Sequence, residues 1–444
     1  MSFFERWFGN RDEEWVQPDI RFGRYSDSYK PSSCYDAWDE AVTQFEKGRF
    51  LDAYEQFLRF LRDDAEDNVV WHRNNQGALS FEFFQGSKRV VGWATHRQVR
   101  LEARVARMNE PRPELLRRLV EQNFSLKFSR YALDPDQHIV VVFDSETSDA
   151  SPYKLYYAFK EVATHADKQD DLLLEEFGQI EQVDSAHLES LPAVERDVKH
   201  HFITNSISTT LQEALFGSLD RDTYPTGTSY LLFDLIYKLD YLTKPEGFTM
   251  ESLERIHRRF FTKEPTLTAQ QKNEYVIQEL EQLLQRSAQD YQQEMYQVKT
   301  TFGITAPVTH DRIVGLIDAE LHQMEWYQAN NHPAVASAIP GYIIGYCLFN
   351  YAVPQPVREL FHLYYRVVQC DYFEALGFQP KFCNEDGHPN SRLVRKSIDK
   401  VVKKYRHRYP SLRPSVSSLV FTGKTAFAKS LLLMVRGLDL TRLD

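Results

Sequence analysis

Thr422-Gly423-Lys424-Thr425 follows the apolar run Leu419-Val420-Phe421, the order in which a phosphate-binding loop leads into its helix. Such a loop cradles phosphate with backbone N–H groups, and its first glycine belongs where this chain has Ser418, so the nest cannot form easily. Thr422 reads better as the N-cap of the helix that follows. Gly227-Thr228-Ser229-Tyr230-Leu231 has part of a nucleophile elbow but lacks the second glycine that the sharp turn needs. Ser229 or Thr228 fits a cap of the apolar helix beyond it. Asp318, His322 and Glu325 share a helical face at i, i+4 and i+7, a spacing that can hold a metal ion. That face lies opposite the apolar stripe of Ile313, Leu316, Leu321 and Met324, as a solvated face would. His200 and His201 are adjacent, so on a helix they point about 100° apart, which is poor for chelation. Cys370, Cys383 and His388 have no recognised zinc spacing, and the cysteines read as buried thiols. Each motif fails a requirement of its own chemistry. No catalytic, cofactor-binding or metal-binding residue is expected.

Binding is a different matter. The helix from Arg392 to Arg408 carries Arg392, Arg395, Lys396, Lys400, Lys403, Lys404, Arg406 and Arg408 against one acid, Asp399. Ile398, Val401, Val402 and Tyr405 give it a narrow apolar stripe. Its plain reading is a solvated outer face; its sharper one is contact with an acidic partner surface, with nucleic acid or anionic lipid as lesser options. The net charge of −10 makes nucleic acid unlikely as a partner of the whole chain. Aromatic residues make up 14% of the chain, enough to fill a core and to furnish a binding surface as well. Phe3, Phe4, Trp7 and Phe8 fall at helical spacing, as a docked terminal helix or a detachable plug would.

These groups must be positioned by several elements. With 444 residues, the chain is long enough for two or three domains. Four scattered cysteines make no disulfide framework, which suggests a reducing compartment. No apolar run reaches the roughly 18 residues that span a bilayer, and a signal peptide is not apparent, so a cytoplasmic protein is expected. Residues 35–62 predict two helices with a turn at Lys47-Gly48-Arg49, similar to a single tetratricopeptide-type hairpin. Leu79, Phe81 and Phe83 mark one strand, Val91 and Trp93 a second, and the strict alternation from Val99 to Val105 a third. A helix from Glu114 follows, then strands at Phe124–Phe128 and Ile139–Phe143. The helix from Pro152 turns Leu155, Phe159, Val162 and Ala166 inward. Beyond an acidic connection, helices are expected near 193–218, 228–243, 249–262, 268–300, 308–331, 355–376, 391–408 and 423–440. Ile277, Leu280, Leu284, Ala288, Tyr291, Met295 and Val298 form one seam, which predicts a single long bundle helix.

The order helix, three strands, helix, two strands, helix over about Tyr35 to Gly178 resembles the YbjN-like, type III secretion chaperone-like family. The residues that carry the likeness are Asn123-Phe124 through Leu133-Asp134 and Tyr156-Tyr157-Ala158-Phe159 with Ala166-Asp167. The resemblance implies a five-stranded, mostly antiparallel sheet with flanking helices. It also implies homodimer formation and the holding of extended protein segments without catalysis.

The expected plan is an aromatic segment and linker over 1–33, an α+β domain over 34–180 and an all-α domain over 181–444. The expected role is a non-enzymatic adaptor or chaperone-like protein that holds a protein client. Its candidate contacts are Phe4, Trp7, Phe8, Trp93, Arg395, Lys396, Lys403 and Lys404. The alternatives are an enzyme or regulator with its site in the helical part, using His322 with Asp318, and a structural subunit of a larger assembly.

Overall fold

The computed structural model describes residues 16–64, 66–108, 110, 112–177, 180–183, 188–262 and 267–442. Helices α1 (Ser32–Glu46) and α2 (Phe50–Leu61) form the expected hairpin. Gly48 turns it at φ +72°, a left-handed conformation that suits glycine. Then follow β1 (Val69–Arg73), β2 (Leu79–Gln85), β3 (Lys88–Ala94), β4 (Gln98–Met108), α3 (Pro113–Asn123), β5 (Arg130–Leu133), β6 (His138–Glu146), α4 (Pro152–Glu176) and β7 (Ile180–Gln182). The sheet runs β1-β2-β3-β4-β6-β5, all antiparallel, and β7 pairs with β4 beyond Ala103, where β3 stops.

This sheet has seven strands rather than five. Val69-Val-Trp-His-Arg73 has no alternation to betray β1, and β7 is three residues long. The Phe124–Phe128 stretch is a turn, not a strand, and Phe124 is 96% exposed. The physical reason lies in α4. The Glu161 carboxylate accepts hydrogen bonds from the N–H groups of Lys127, Phe128 and Ser129 and from the Ser129 hydroxyl, which wraps the segment around one anion. The strand begins later, at Arg130.

On one face of the sheet, Leu79, Phe81, Phe83, Val99, Leu101 and Phe143 are buried against α4, whose Leu155, Phe159, Val162 and Ala166 point inward as expected. Phe159 stacks on Phe83 with ring centroids 5.5 Å apart. Tyr54 of α2 donates to the carbonyls of Thr147 and Ala150, which ties the hairpin to the end of β6.

The remaining chain is mostly helical. The helices are α5 (Ala193–Phe216), α6 (Pro225–Thr243), α7 (Gly247–Phe261), α8 (Ala269–Gln285), α9 (Ala288–Gln293), α10 (His310–Ala329), α11 (Pro333–Asn350), α12 (Gln355–Val368), α13 (Cys370–Ala375), α14 (Ser391–Tyr405) and α15 (Lys424–Arg436). Two-residue strands β8 (Glu189–Ser190) and β9 (Tyr296–Gln297) pair antiparallel; β10 (Ala306–Pro307) and β11 (Tyr351–Ala352) pair parallel. Among the described residues, no helix is long and apolar enough to cross a membrane.

Four expectations change here. The single helix over 268–300 is two helices and an extended run. Ser287 caps α9 with Asp290 in a capping box, and Arg286 before it is extended, so the seam breaks and Val298 lies outside any helix. The 355–376 helix is interrupted at Gln369. Helix α11 was missed because it is buried on nearly all sides and so has no amphipathic period, and because Pro340 inside it reads as a break. Cys370 and Cys383 are not free thiols: a disulfide joins them, Cα atoms 6.1 Å apart, while Cys34 and Cys347 are buried and free.

The expected linker up to Ser33 is, from Ile20 onward, a packed strap. Phe22 is buried among helical-core residues, against Phe373 at 5.1 Å and His362 at 5.3 Å. Gly23 donates its N–H to Tyr241 O at 2.8 Å. The Arg24 guanidinium makes a forked contact with Asp240 at 2.7 and 3.1 Å and reaches Glu254 at 3.0 Å, over the face of Phe349 at 3.8 Å. Asp27 accepts from the Tyr156 hydroxyl of α4 and from Gly303 N–H.

A second segment crosses the other way. Residues 299–303 leave the helices and run along the end of β2. Gly86 donates to Lys299 O, Thr301 Oγ1 donates to Phe84 O, and Gln85 Oε1 accepts from Phe302 N–H. Phe302 is fully buried in the sheet's own core beside Phe83 and Tyr156. Gly303 is glycine for a steric reason, since a Cβ there would come within 2.8 Å of Ser26 Cα. The sheet and the helices therefore exchange a segment each.

Removing one partner of a buried ion pair leaves the other charge unpaired, at about 3–5 kcal/mol. Arg24→Met is expected to lose stability of that order in urea unfolding. Arg24→Lys should recover little of it, since an ammonium lacks the fork that grips Asp240.

Candidate functional site

A cleft of about 990 Å³ opens where the strap, the α1–α2 hairpin, β1 and the helical part meet. The strap supplies Arg21, Arg24 and Lys30, the hairpin and its exit Asp36, Glu40 and Arg62, β1 Trp71, and the helices Lys244 and Arg358. Two smaller cavities, about 350 and 280 Å³, open beside it and share Lys244 with it.

Most charges of the cleft are matched. Arg21 pairs with Glu66, which also accepts Thr300 N–H; Arg62 pairs with Asp64 and Asp67. Lys30 donates to Leu61 O over the face of Phe60, and burial lowers its pKa. Burial raises the pKa of the nearby Cys34 thiol, so it is no ready thiolate nucleophile. Behind the cleft, Lys168 of α4 reaches Glu251 and Glu254 of α7 at 3.0 and 3.6 Å, beside the Arg24 clasp.

Two histidines adjoin these residues. Burial, with Arg366 and Arg358 close by, pushes His362 down to about 3; Tyr241 Oη lies 3.0 Å from its Nδ1. Burial and the neighbouring Arg24 push His257 down to about 4, with Tyr237 Oη 3.0 Å from its Nδ1. Both are held neutral.

The sheet's other face offers a second surface. Val70, Ser80, Arg89 and Trp93 project from β1–β3 on the side away from α4; Val70 is 42% exposed and Trp93 40%. Trp93 lies between Ser80 and Arg100 in its cross-strand row, and Val91 between Glu82 and Glu102. Farther along, this face becomes ionic: Arg89 meets Glu82, Arg100 meets Glu102 and Arg130 meets Asp144. β1 pairs with β2 alone among the described strands, so its outer edge is open there.

The sequence candidates fall as follows. Trp93 is on the exposed sheet face, since the register sets it opposite Ser80 while Phe81 and Phe83 face Gly92 and Val90. Phe4, Trp7 and Phe8 lie outside the described residues. Arg395, Lys396, Lys403 and Lys404 are exposed on α14, which buries Val394, Ile398, Val401 and Tyr405. Arg395 donates to Val416 O, Lys403 pairs with Asp399 and Lys404 with Glu359. Asp318 and Glu325 meet Arg436 and Lys429 of α15, a surface seam between helices rather than a cleft. Helix α15 starts at Lys424 without a side-chain cap, so Thr422 is not its N-cap. Lys424 Nζ donates to Val368 O. Ser229 and Thr228 do not cap α6, which starts at Pro225. Ser229 Oγ lies 3.1 Å from Pro225 O and 2.9 Å from Asn273 Oδ1.

Two constellations missed from spacing carry little chemistry. Asp134, Asp136 and His138 present close ligand atoms in a turn. Asp134 already accepts the N–H groups of Asp136 and His138, with its other oxygen 2.9 Å from His138 Nδ1. Ser218 Oγ and His332 Nδ1 are 3.5 Å apart at the surface, long for a hydrogen bond, and among the described residues no carboxylate orients that ring. The cleft itself was not legible, because it unites residues more than 300 positions apart.

No protein-family model matches the chain, and no curated protein sequence matches it.

A histidine whose folded pKa lies below its ordinary 6.5 takes up fewer protons folded than unfolded. Its contribution is fully present above pH 6.5 and is lost as pH falls toward 3–4. Each can withdraw up to about 3 kcal/mol by pH 4. Urea midpoints measured from pH 7 to pH 4 should fall, and His362→Asn or His257→Asn should flatten that fall. An unchanged pH profile in both variants would contradict the assignment.

Proposed function

We propose that the chain is a non-enzymatic, protein-binding adaptor or chaperone-like protein that holds an extended client segment on its sheet. The observation that carries the reading is the face of β1–β3 that the described residues leave uncovered, with Val70 exposed on the open edge strand β1 and Trp93 exposed two strands in, on β3. An edge strand offers unpaired N–H and C=O groups to a partner strand. Trp and Val alongside give the apolar contact that fixes a client's alternate side chains, and the charged rows farther along select against purely apolar segments. The likeness of residues 35–178 to the YbjN-like, secretion chaperone-like family points the same way and is part of the proposal. So is a cytoplasmic location, against which the Cys370–Cys383 bond weighs.

A photo-crosslinking residue placed at Trp93, with a control at the exposed Trp326 of α10, tests this in the native cell. The reading predicts one dominant protein adduct at position 93 and none of it at 326. Val70→Asp with Trp93→Ala should abolish that adduct from a crosslinker at Ser80, with the melting temperature moved by no more than a few degrees, since both side chains are exposed. Equal labelling at 93 and 326, or an adduct indifferent to the double substitution, would sink the proposal.

A further inference from the structure

Lys244 ends α6 in the left-handed region, at φ +45° and ψ +62°. A helix commonly stops at such a position with glycine, which adopts it without strain; a side chain there is disfavoured. The retained lysine is half-buried, and it lines all three cavities of the junction. Among the described residues, no carboxylate lies within ion-pair distance of its ammonium, although Glu246 is near enough to favour the charge. Burial lowers its pKa, and Arg21 and Arg358 add to that effect.

Arg358 faces the same cleft. It makes a long hydrogen bond to Phe22 O, at 3.4 Å, and lies over the ring of Tyr29 at 4.7 Å, and it too has no acidic partner among the described residues. Nearby, Arg21 is matched with Glu66 and Lys199 with Glu195, Lys30 donates to Leu61 O, and the exposed Arg59 forms no ion pair with the described residues. The exposed Asp36 and Glu40 lie on α1. Two cations of one cleft thus lack an acidic partner among the described residues, and the cleft's size suits a small organic molecule. Both are half-buried, so this stretch of the cleft wall is positive and complements a negative group. A conformation that costs stability and places a functional group in a cavity is a further mark of a site.

We propose that Lys244 and Arg358 bind the anionic group, phosphate or carboxylate, of a small-molecule ligand in the junction cleft. Arg358 presents a planar fork and Lys244 a point charge, the pairing that such oxyanions accept. The ligand would sit against the strap that joins the sheet to the helices. This inference does not rest on the client-binding reading.

The test is calorimetric titration of the full chain at fixed ionic strength, with sodium pyrophosphate and separately with sodium citrate. One-site, saturable binding of either is expected. Pyrophosphate alone would identify a phosphate-bearing ligand, and citrate alone a carboxylate. Lys244→Gly should weaken binding at least tenfold and, without ligand, melt no lower than the parent, because glycine accepts the left-handed backbone. Should Lys244→Gly melt lower, Arg358→Gln decides: a tenfold loss supports the site, and unchanged binding overturns it. Absence of saturable binding by the parent, or parent-like binding by Lys244→Gly, also overturns it.

Discussion

The Arg24 clasp is the interaction on which the arrangement of sheet against helices depends. A guanidinium, two carboxylates and an aromatic face meet with little water access, so charge matching there is nearly obligatory. The clasp fixes the strap, and the strap fixes Asp27, which accepts from Tyr156 of α4 and from Gly303 of the returning segment. From one buried ion pair the contact passes through three hydrogen-bonded groups into the core of the sheet, where Phe302 ends. Neither exchanged segment has regular structure along most of its length. Both are held by side-chain and backbone bonds to the other half of the molecule.

This geometry explains where cavities form. Two segments crossing between a sheet and a helical bundle cannot fill the space as regular elements do, and the polar groups they carry need partners. Most find them, as Arg21 does with Glu66 and Asn68 does with Thr301. Among the described residues, Lys244 and Arg358 do not find an acid. The outer sheet face follows a different logic: none of the described residues packs over Trp93 and Val70, and farther along that face carries arginine–carboxylate pairs.

Local periodicity carried the sequence reading as far as local physics reaches. The strict alternation of β4 and the inward stripe of α4 were legible because one face of each is buried and the other is not. Helix α11 was illegible because it is buried nearly all round, and β1 because its residues do not alternate. The 124–128 turn was misread because a carboxylate 33 to 34 residues away, Glu161, organises it. Trp93 was named as an aromatic on a sheet strand; that its side chain lies on the exposed face is known only from the strand register. The cleft was not found, since Arg24, Lys244 and Arg358 are brought together only by tertiary structure, and nothing in their spacing announces it. A lysine directly after α6, where glycine would be ordinary, was the one local signal available.

Hydrogen exchange of the unmodified chain, read by mass spectrometry on peptides covering 20–30 and 299–303, tests the account's central claim most directly. If the two segments are integral to the fold, their protected amides should exchange through the same slow opening as those of α6. Exchange in 20–30 and 299–303 that is orders of magnitude faster than in α6 would contradict it, and would make both segments a loose covering over two independently folded parts.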